Sequence, residues 1–510
     1  MSSMLDVVDQ WASSQPDALA LITESDGTRT FAELAHNAAA IGAALHADLR
    51  VAPGETVTLL ASNQPQWAET YFGVGPVGVR CVAGNPEWTD AEMTFILEHS
   101  ESVAVICDHE LAPRVLALRP SLSRLRHVVA LPAPGGGEPV ADGAHAYADL
   151  VAAAPADPRS ALPQAASGLS EHIMYTSGTT TGRPKAVVSQ ATDRTGVDYH
   201  EMFGLEPRDR GIVVTPFFHG NGMGGMMASV LYGASVVFPR RFSASRFWDL
   251  VDLYRPTFLW TLVPLVNILM GRPESPRDRR HHLRALIVLG AARSAPAIEE
   301  RFGAPVIDWY GMTEAGYGTY TRLDEARRPG SAGRRFPGST MTILREDGTE
   351  ALPGEPGEVV FGRGTIAFDG YLRDDQATAA VIDDRWFHTG DLGYFDEDGY
   401  FFFVDRKKDI VRRGGENISS VEVEGILRTH PQVADAAVLG KPDPVLGERV
   451  VAFVVPAEGL EVPDAAGIQS HVGAHLAKFK VPEEVHLVDR LPRTPTGKII
   501  KAELRSWTPG

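Results

Sequence analysis

The sequence predicts an α/β protein: a large N-terminal α/β region, a small β-rich subdomain over about residues 337–404, and an α+β C-terminal domain over 410–510. Three observations carry that expectation. Compact apolar runs such as Val57–Leu60 and Val103–Cys107 alternate with segments of helical apolar spacing, the pattern of parallel strands buried on both faces. From about Pro337 the texture changes to short strands separated by Gly- and Asp-bearing turns. At 510 residues the chain exceeds what one hydrophobic core usually supports, so more than one domain is expected.

In chain order, Leu19–Thr23 reads as a short strand followed by the turn Ser25-Asp26-Gly27. Thr30 and Glu33 stand at capping-box spacing and open a helix running to about Leu45. After the two runs already named, Gly211–Val214, Ser235–Phe238, Phe258–Thr261, Ala285–Leu289 and Val306–Trp309 continue the buried strands. Pro132–Gly137 and the Ala/Pro-rich Ala152–Ala166 read as flexible surface connections. Met341–Leu344, Glu358–Phe361 and Tyr400–Val404 are the strands of the β-rich part. The charged run Asp405–Asp409 then ends the N-terminal domain, expected to span 1–404.

With 65 acidic and 48 basic residues the net charge is −17, a strong argument against sequence-independent nucleic-acid binding and a weaker one against docking to anionic lipid. A polyanionic ligand would need local Lys, Arg and backbone N–H groups to hold it against that field. No stretch approaches the roughly 18 apolar residues of a membrane span. The N-terminal MSSMLDVVDQW has no basic stretch ahead of an apolar one. A soluble cytoplasmic protein is expected. Cys81 and Cys107 lie in apolar, strand-like surroundings and are expected to be buried, inert thiols.

The segment Tyr175–Lys185 (YTSGTTTGRPK) carries the strongest chemical signal. Glycines such as Gly178 let backbone N–H groups approach an anion closely. The hydroxyls of Thr176, Ser177, Thr179, Thr180 and Thr181 add donors, and Lys185 adds charge, so together they form a phosphate cradle. It is not a Walker A loop, because no Gly-Lys-Ser/Thr triplet closes it and Pro184 precedes the lysine. The alternative is a Ser/Thr-rich turn without a ligand.

That segment resembles the phosphate loop of the adenylate-forming superfamily: acyl- and aryl-CoA ligases, peptide-synthetase adenylation domains and luciferases. Further segments are similar to its motifs in the family's order. They are Pro216-Phe-Phe-His219, Tyr310-Gly-Met-Thr-Glu314, Trp386-Phe-His-Thr-Gly-Asp391, Arg406 with Lys408, Gly414-Gly-Glu-Asn-Ile418 and Pro495-Thr-Gly-Lys498. The resemblance covers nearly the whole chain and is closest to the acyl-CoA ligases. It implies two α/β subdomains in the N-terminal domain, a hinge over 405–409 turning on Lys408, and a mobile C-terminal lid carrying a catalytic lysine.

The roles that the resemblance implies agree with the chemistry of the residues. Glu314 would hold Mg²⁺, a hard cation that reaches such sites through a carboxylate and phosphates. Thr313 would contact the α-phosphate or the acid. Tyr310 offers adenine a ring to stack on, with Asp308 accepting from its exocyclic amine and Gly290, Ala291, Trp309, Gly311 and Met312 around it. Asp391, read as lying in a turn, would take the ribose hydroxyls, with Arg406 near the ribose or phosphates. Lys498 would bring positive charge to the meeting of a carboxylate and the α-phosphate.

His219 would line the acid pocket, in a loop opened by Gly220, Gly222, Gly224 and Gly225. Phe218, Asn221, Met226, Met227 and Tyr317 are further pocket candidates beside Trp309 and Met312, a set suited to a compact or aromatic acid. Rotation about Lys408 would withdraw Lys498 and bring Gly415 to the site for a pantetheine arm. The Arg412-Arg413 pair is either a solvated patch or a contact for coenzyme A phosphates. The match departs from the family pattern in four places: one extra residue between Gly178 and Lys185, Ala186 where glycine is common, Asp405 where glycine is frequent, and Arg293, which either meets an anionic substrate or is exposed at a helix start. ATP and CoA are the expected co-substrates, with a carrier protein, or an aryl amine receiving activated nitrite, as alternative acceptors.

Overall fold

The computed structural model describes residues 3–163, 171–176, 184–190, 199–366, 368–457, 459–460, 462, 464–494 and 497–507. Two large sheets build most of the N-terminal region. The eight-stranded sheet runs, in spatial order, Phe368–Tyr371, Lys185–Gln190, Glu171–Thr176, Arg80–Gly84, Thr56–Leu60, Ser102–Cys107, His127–Ala130 and His145–Ala146. It is parallel from Glu171–Thr176 onward. Its other edge is the antiparallel hairpin that Lys185–Gln190 makes with Glu171–Thr176, extended by Phe368–Tyr371. The seven-stranded sheet runs Val306–Ile307, Ala285–Leu289, Phe258–Leu262, Arg210–Val213, Ser235–Val237, Leu19–Ile22 and Thr28–Thr30.

Local sequence accounts for the elements directly. Thr30 accepts the Glu33 N–H at 3.2 Å while Glu33 accepts the Thr30 N–H at 2.8 Å, the reciprocal cap expected for the helix Phe31–Ala43. All five residues of Thr56–Leu60 are buried, as a parallel strand covered on both faces requires. A single core cluster spans the facing sides of the two sheets, with Trp67, Phe217 and Trp260 among its members. Asn63 ties the sheets where their strands end: its Nδ2 donates to the Thr215 carbonyl at 3.0 Å and its Oδ1 accepts the Phe217 N–H at 2.7 Å.

The expected strand Val306–Trp309 is broken in the structure. Val306–Ile307 ends the seven-stranded sheet, and Trp309–Met312 starts a separate three-stranded antiparallel sheet with Gly316–Tyr320 and Arg334–Arg335. The β-rich part is a four-stranded sheet of Thr342–Leu344, Gly357–Gly362, Trp386–Phe395 and Phe401–Arg406. Asp405 and Arg406, expected in the 405–409 link, therefore belong to a strand. Nor is Ala152–Ala166 a plain connection over its described part. Pro158–Ala161 is a short 3₁₀ turn, and Arg159 pairs with Asp6 at 2.6 Å and with Asp9.

Beyond residue 410, five strands form one sheet: Val411–Arg413, Glu416–Ile418, Val433–Asp443, Gly447–Pro456 and Glu484–Leu487. The helices Ser420–Leu427 and Ala465–His475 pack on it through a core of their own. Cys81 and Cys107 are both buried and unpaired, and burial raises both thiols, Cys81 to about 12. Among the described residues no helix is long and apolar enough to cross a membrane.

Candidate active site

The break after Ile307 is where the site begins. Asp308 is fully buried, and its Oδ1 accepts the backbone N–H groups of Gly290 at 2.8 Å and Ala291 at 2.9 Å. Its own N–H donates to Thr321 Oγ1 at 2.7 Å. Oδ2 is buried without a hydrogen-bond partner. Burial pushes this carboxyl up to about 7, against the pull of the N–H groups. Asp308 thus holds the loop after the strand Ala285–Leu289 with one oxygen and presents the other as an unused acceptor. In the hairpin that follows, Gly311 is required because a Cβ there would lie 2.2 Å from the Gly316 carbonyl oxygen. Thr313 and Glu314 occupy its turn.

Tyr310 points from this hairpin into the four-stranded sheet. Its hydroxyl donates to Asp391 Oδ2 at 2.8 Å, and its ring lies against Phe401, with centroids 4.8 Å apart. Asp391 stands within the strand Trp386–Phe395, directly opposite Arg406, and not in a turn as expected. The turn-like composition His-Thr-Gly-Asp is accommodated by Gly390 at φ +69° while the strand continues. Arg406 Nε is 2.8 Å from Asp391 Oδ1, but its angle is not that of a hydrogen bond, so Oδ1 keeps a direction open to another donor. Burial raises the Asp391 carboxyl and Arg406 pulls it back.

A third group joins two motifs that are far apart in sequence. Buried Glu314 accepts from the Tyr371 hydroxyl at 3.1 Å, and Lys185 Nζ sits 4.4 Å from the centroid of the Tyr371 ring. Lys185 therefore reaches the neighbourhood of Glu314. Thr176, paired with Lys185 across the hairpin, donates its hydroxyl to the Lys185 carbonyl at 3.3 Å. Ser177, Gly178, Thr179, Thr180 and Thr181 lie outside the described residues. Among those described, no group of three or more His, Cys, Asp or Glu is arranged to hold a metal by protein ligands alone. One buried carboxylate near a lysine fits Mg²⁺ that is held mainly by phosphates.

Lys498 comes to these groups from the C-terminal domain. Its N–H donates to Thr494 Oγ1 at 3.1 Å and its carbonyl accepts the Thr494 N–H at 2.8 Å, closing a tight turn. Gly497, at φ +83°, backs onto the N-terminal helix Val263–Met270, where an added Cβ would lie 2.8 Å from Pro264 Cβ. Lys498 is exposed to solvent. Loss of surrounding water, then the positive charges of Arg406 and Lys408, push its ammonium down to about 8, while Asp391 and Asp409 act in the opposite sense. Nearby His219 has a buried, unpartnered Nδ1. Burial and the Lys498 charge push its imidazole down to about 4, which leaves it neutral at pH 7.

The glycines after His219 do not form an open loop. Gly220–Leu231 is a helix, and its glycines permit close contact: a Cβ on Gly222 would lie 2.1 Å from the Pro216 carbonyl oxygen, and one on Gly225 2.7 Å from Trp260 Cγ. Three pocket candidates are accordingly packing residues. Met226 and Met227 are wholly buried in the central core, and Asn221 accepts from the Thr215 hydroxyl at 2.8 Å and donates to the Thr261 carbonyl at 3.3 Å. Phe218, Trp309 and Tyr317 remain partly exposed at the edge of that core, with the Trp309 and Tyr317 rings 4.6 Å apart. Met312 is half-buried against the core of the β-rich part.

Lys408 follows the strand that ends at Arg406, and its carbonyl accepts from Arg505 at 3.2 Å. Gly415, at φ +89°, stands exposed, and a Cβ added there would meet nothing within 4 Å. Arg413 pairs with Glu483, whereas Arg412 is exposed. Arg293 is exposed and donates to the Val421 carbonyl of the C-terminal domain at 3.1 Å. Sequence patterns leave Tyr371 and Pro264 unassigned, because each matters through a partner 57 or more positions away and carries no motif of its own.

Comparisons with known proteins agree along the whole chain. The family model described as AMP-binding enzyme matches residues 8–372, and that of the AMP-binding enzyme C-terminal domain matches 422–498. A probable CoA ligase of Humulus lupulus is 36% identical over 473 residues, covering 88% of this chain and 86% of its own. A crotonobetaine/carnitine–CoA ligase of Salmonella choleraesuis is 34% identical over 468 residues, covering 90% and 89%. Among solved structures, an anthranilate CoA ligase in complex with anthranoyl-AMP superposes with a TM-score of 0.88 at 27% identity, over 99% of this chain and 97% of that one.

Proposed function

Since this chain belongs to the family of AMP-binding enzymes, within the adenylate-forming superfamily and close to the acyl-CoA ligases, we propose that it activates a small or aromatic carboxylic acid with ATP and transfers the acyl group to coenzyme A. The observation that carries this reading is that the turn bearing Lys498, from the C-terminal domain, docks on the N-terminal domain, where a Cβ on Gly497 would lie 2.8 Å from Pro264 Cβ, while Asp391 and Arg406 pair at 2.8 Å. The acceptors Asp308 and Asp391 would then take the nucleotide and Lys498 would supply the cation that adenylation needs.

In the first half-reaction a carboxylate oxygen of the acid attacks the α-phosphorus, an acyl–phosphate bond forms, and the bond to pyrophosphate breaks. Asp308 Oδ2 takes the adenine amine, and Tyr310 lies along the ring, with Gly290, Ala291, Trp309, Gly311 and Met312 as walls. Asp391 and Arg406 bind the ribose. Thr176 and Lys185 face the phosphates together with Ser177, Gly178, Thr179, Thr180 and Thr181, and Thr313 contacts the α-phosphate. Glu314 holds Mg²⁺, which when bound neutralises charge on the departing phosphates. Lys498 lowers the repulsion between the two reacting anions. His219, held neutral, borders the acid without adding a charge.

In the second half-reaction the coenzyme A sulfur attacks the acyl carbon and AMP leaves with the electron pair of the broken bond. Residues 1–404 act as the adenylating domain and 410–510 as a lid turning on Lys408, which withdraws Lys498 and brings Gly415 in. ATP and coenzyme A as substrates support a cytoplasmic location.

The test is pyrophosphate release from ATP over a panel of short-chain and aromatic acids and nitrite, each with and without coenzyme A, with products identified by mass. Carboxylate-dependent pyrophosphate with a CoA thioester product is the expected result. Release with nitrite alone, or with a carboxylate that coenzyme A leaves as the adenylate, would overturn the acceptor and point to an amine or a carrier protein.

A further inference from the structure

Asp405 and Arg406 are successive residues of one strand, so their side chains leave on opposite faces. Arg406 faces Asp391. Asp405 faces the first helix of the C-terminal domain, Ser420–Leu427, and is only 1% exposed. Its Oδ2 accepts the Ser420 N–H at 2.6 Å and the Ser420 hydroxyl at 2.8 Å, with the Val421 N–H at 3.3 Å and the Ser419 hydroxyl at 3.4 Å farther out. Its Oδ1 accepts the Arg406 N–H at 2.7 Å. Lys501 closes the network, donating to Ser420 Oγ at 2.6 Å and pairing with Glu424 at 2.7 Å.

The same helix is held a second time. Arg293, on the loop beside Asp308, donates to the Val421 carbonyl at 3.1 Å, and Gly425 leaves the space for it, since a Cβ there would lie 3.1 Å from the guanidinium. A carboxylate at the helix N-terminus and a guanidinium on its first turn thus both reach it from the N-terminal domain.

We infer that Asp405, with Arg293, is a clamp that holds the lid in the arrangement presenting Lys498, and so sets how much of the enzyme stands ready for the first half-reaction. The inference rests on the reading that the lid turns about Lys408. Asp405 and Arg293 lie before that residue, and Ser419, Ser420 and Val421 lie after it, so rotation strips Asp405 Oδ2 of its donors and leaves only the Arg406 N–H on Oδ1. A hydrogen bond to a charged group is a factor of roughly ten or more in such an equilibrium. Asp405 is a positioning residue; it acts through the helix and touches no substrate.

Fluorescence transfer between dyes on Leu253→Cys and Val445→Cys tests this on the full chain, with and without ATP and MgCl₂. Both positions are well exposed, at 66% and 86%, while Cys81 and Cys107 are buried, so the dyes couple at the introduced sites. One dominant transfer efficiency is expected for the otherwise native chain. Asp405→Ala and Arg293→Ala are each expected to raise the minor population by roughly tenfold. Asp405→Asn, which keeps an acceptor for the N–H groups, restores most of the native distribution. An unchanged distribution in folded Asp405→Ala overturns the clamp. If that variant does not fold, exposed Arg293→Ala decides by the same criterion.

Turnover plays no part in this measurement. A lid that shifts in a protein releasing no pyrophosphate with any acid defeats the proposed activity and leaves the clamp. A normal ligase whose lid ignores both substitutions defeats the clamp alone.

Discussion

In the proposed mechanism Lys498 acts only as an ammonium, and its surroundings push that group down to about 8. The charged form predominates below that value and is lost as pH rises through it. In the free enzyme, pyrophosphate formation measured as kcat/KM is therefore expected to hold up to about pH 7 and to fall above pH 8. Lys498→Arg, whose side chain stays protonated, moves that limb to higher pH. Lys498→Ala is expected to slow adenylation by about 10²–10³-fold, in line with the removal of one preorganised charge donor. CoA transfer from supplied acyl-AMP is expected to change only a few-fold, and equal loss of both steps would contradict the assignment. Tyr371→Phe deletes the hydroxyl that Glu314 accepts. A few-fold rise in the Mg²⁺ concentration for half-maximal ATP turnover is the expected result, and an unchanged titration would remove Glu314 from the metal site.

At the scale of elements, the helix Gly220–Leu231 is where packing and sequence pattern part company. Gly225→Ala would place a methyl 2.7 Å from Trp260 Cγ, and overpacking of this kind costs about 1–3 kcal/mol. A lowered midpoint of thermal unfolding, with the far-ultraviolet spectrum retained, is expected. Local composition alone reads four glycines in six residues as an open loop; the Pro216 carbonyl against Gly222 and the ring of Trp260, 35 positions from Gly225, make this a close-packed helix. Buried parallel strands and the Thr30–Glu33 cap were legible because their signals are local: apolar runs and a three-residue spacing. The break at Asp308 was not, since it depends on the N–H groups of Gly290 and Ala291, 18 and 17 positions earlier. Asp391 stands out as a site candidate through its motif, while its strand setting follows from the pairing with Arg406, which no local pattern encodes.

The proposed site draws on two parts that each pack a core of their own. The turn carrying Lys498 meets the N-terminal domain where Gly497 backs onto Pro264. Gly497→Ala adds a methyl 2.8 Å from Pro264 Cβ at a residue with φ +83°, which is doubly unfavourable. The turn is expected to dock less well, so the pyrophosphate-forming step slows while CoA transfer from supplied acyl-AMP persists; parallel loss of both steps would argue against separate arrangements. A bulky replacement at exposed Gly415 is expected to do the reverse, sparing pyrophosphate release and blocking the thioester.

Placing the cation on the moving part also bears on wasted ATP. If the lid turns as proposed, the half that would hold the nucleotide keeps Lys185 and Arg406 but loses Lys498, so ATP bound there would lack the one cation proposed to meet the attacking carboxylate. Attack by stray water is disfavoured at just the moment the cleft is most open to it. An enzyme that worked by the proposed lid motion would guard its fuel by geometry, because the group proposed to make the phosphate reactive would arrive together with the wall that shuts water out.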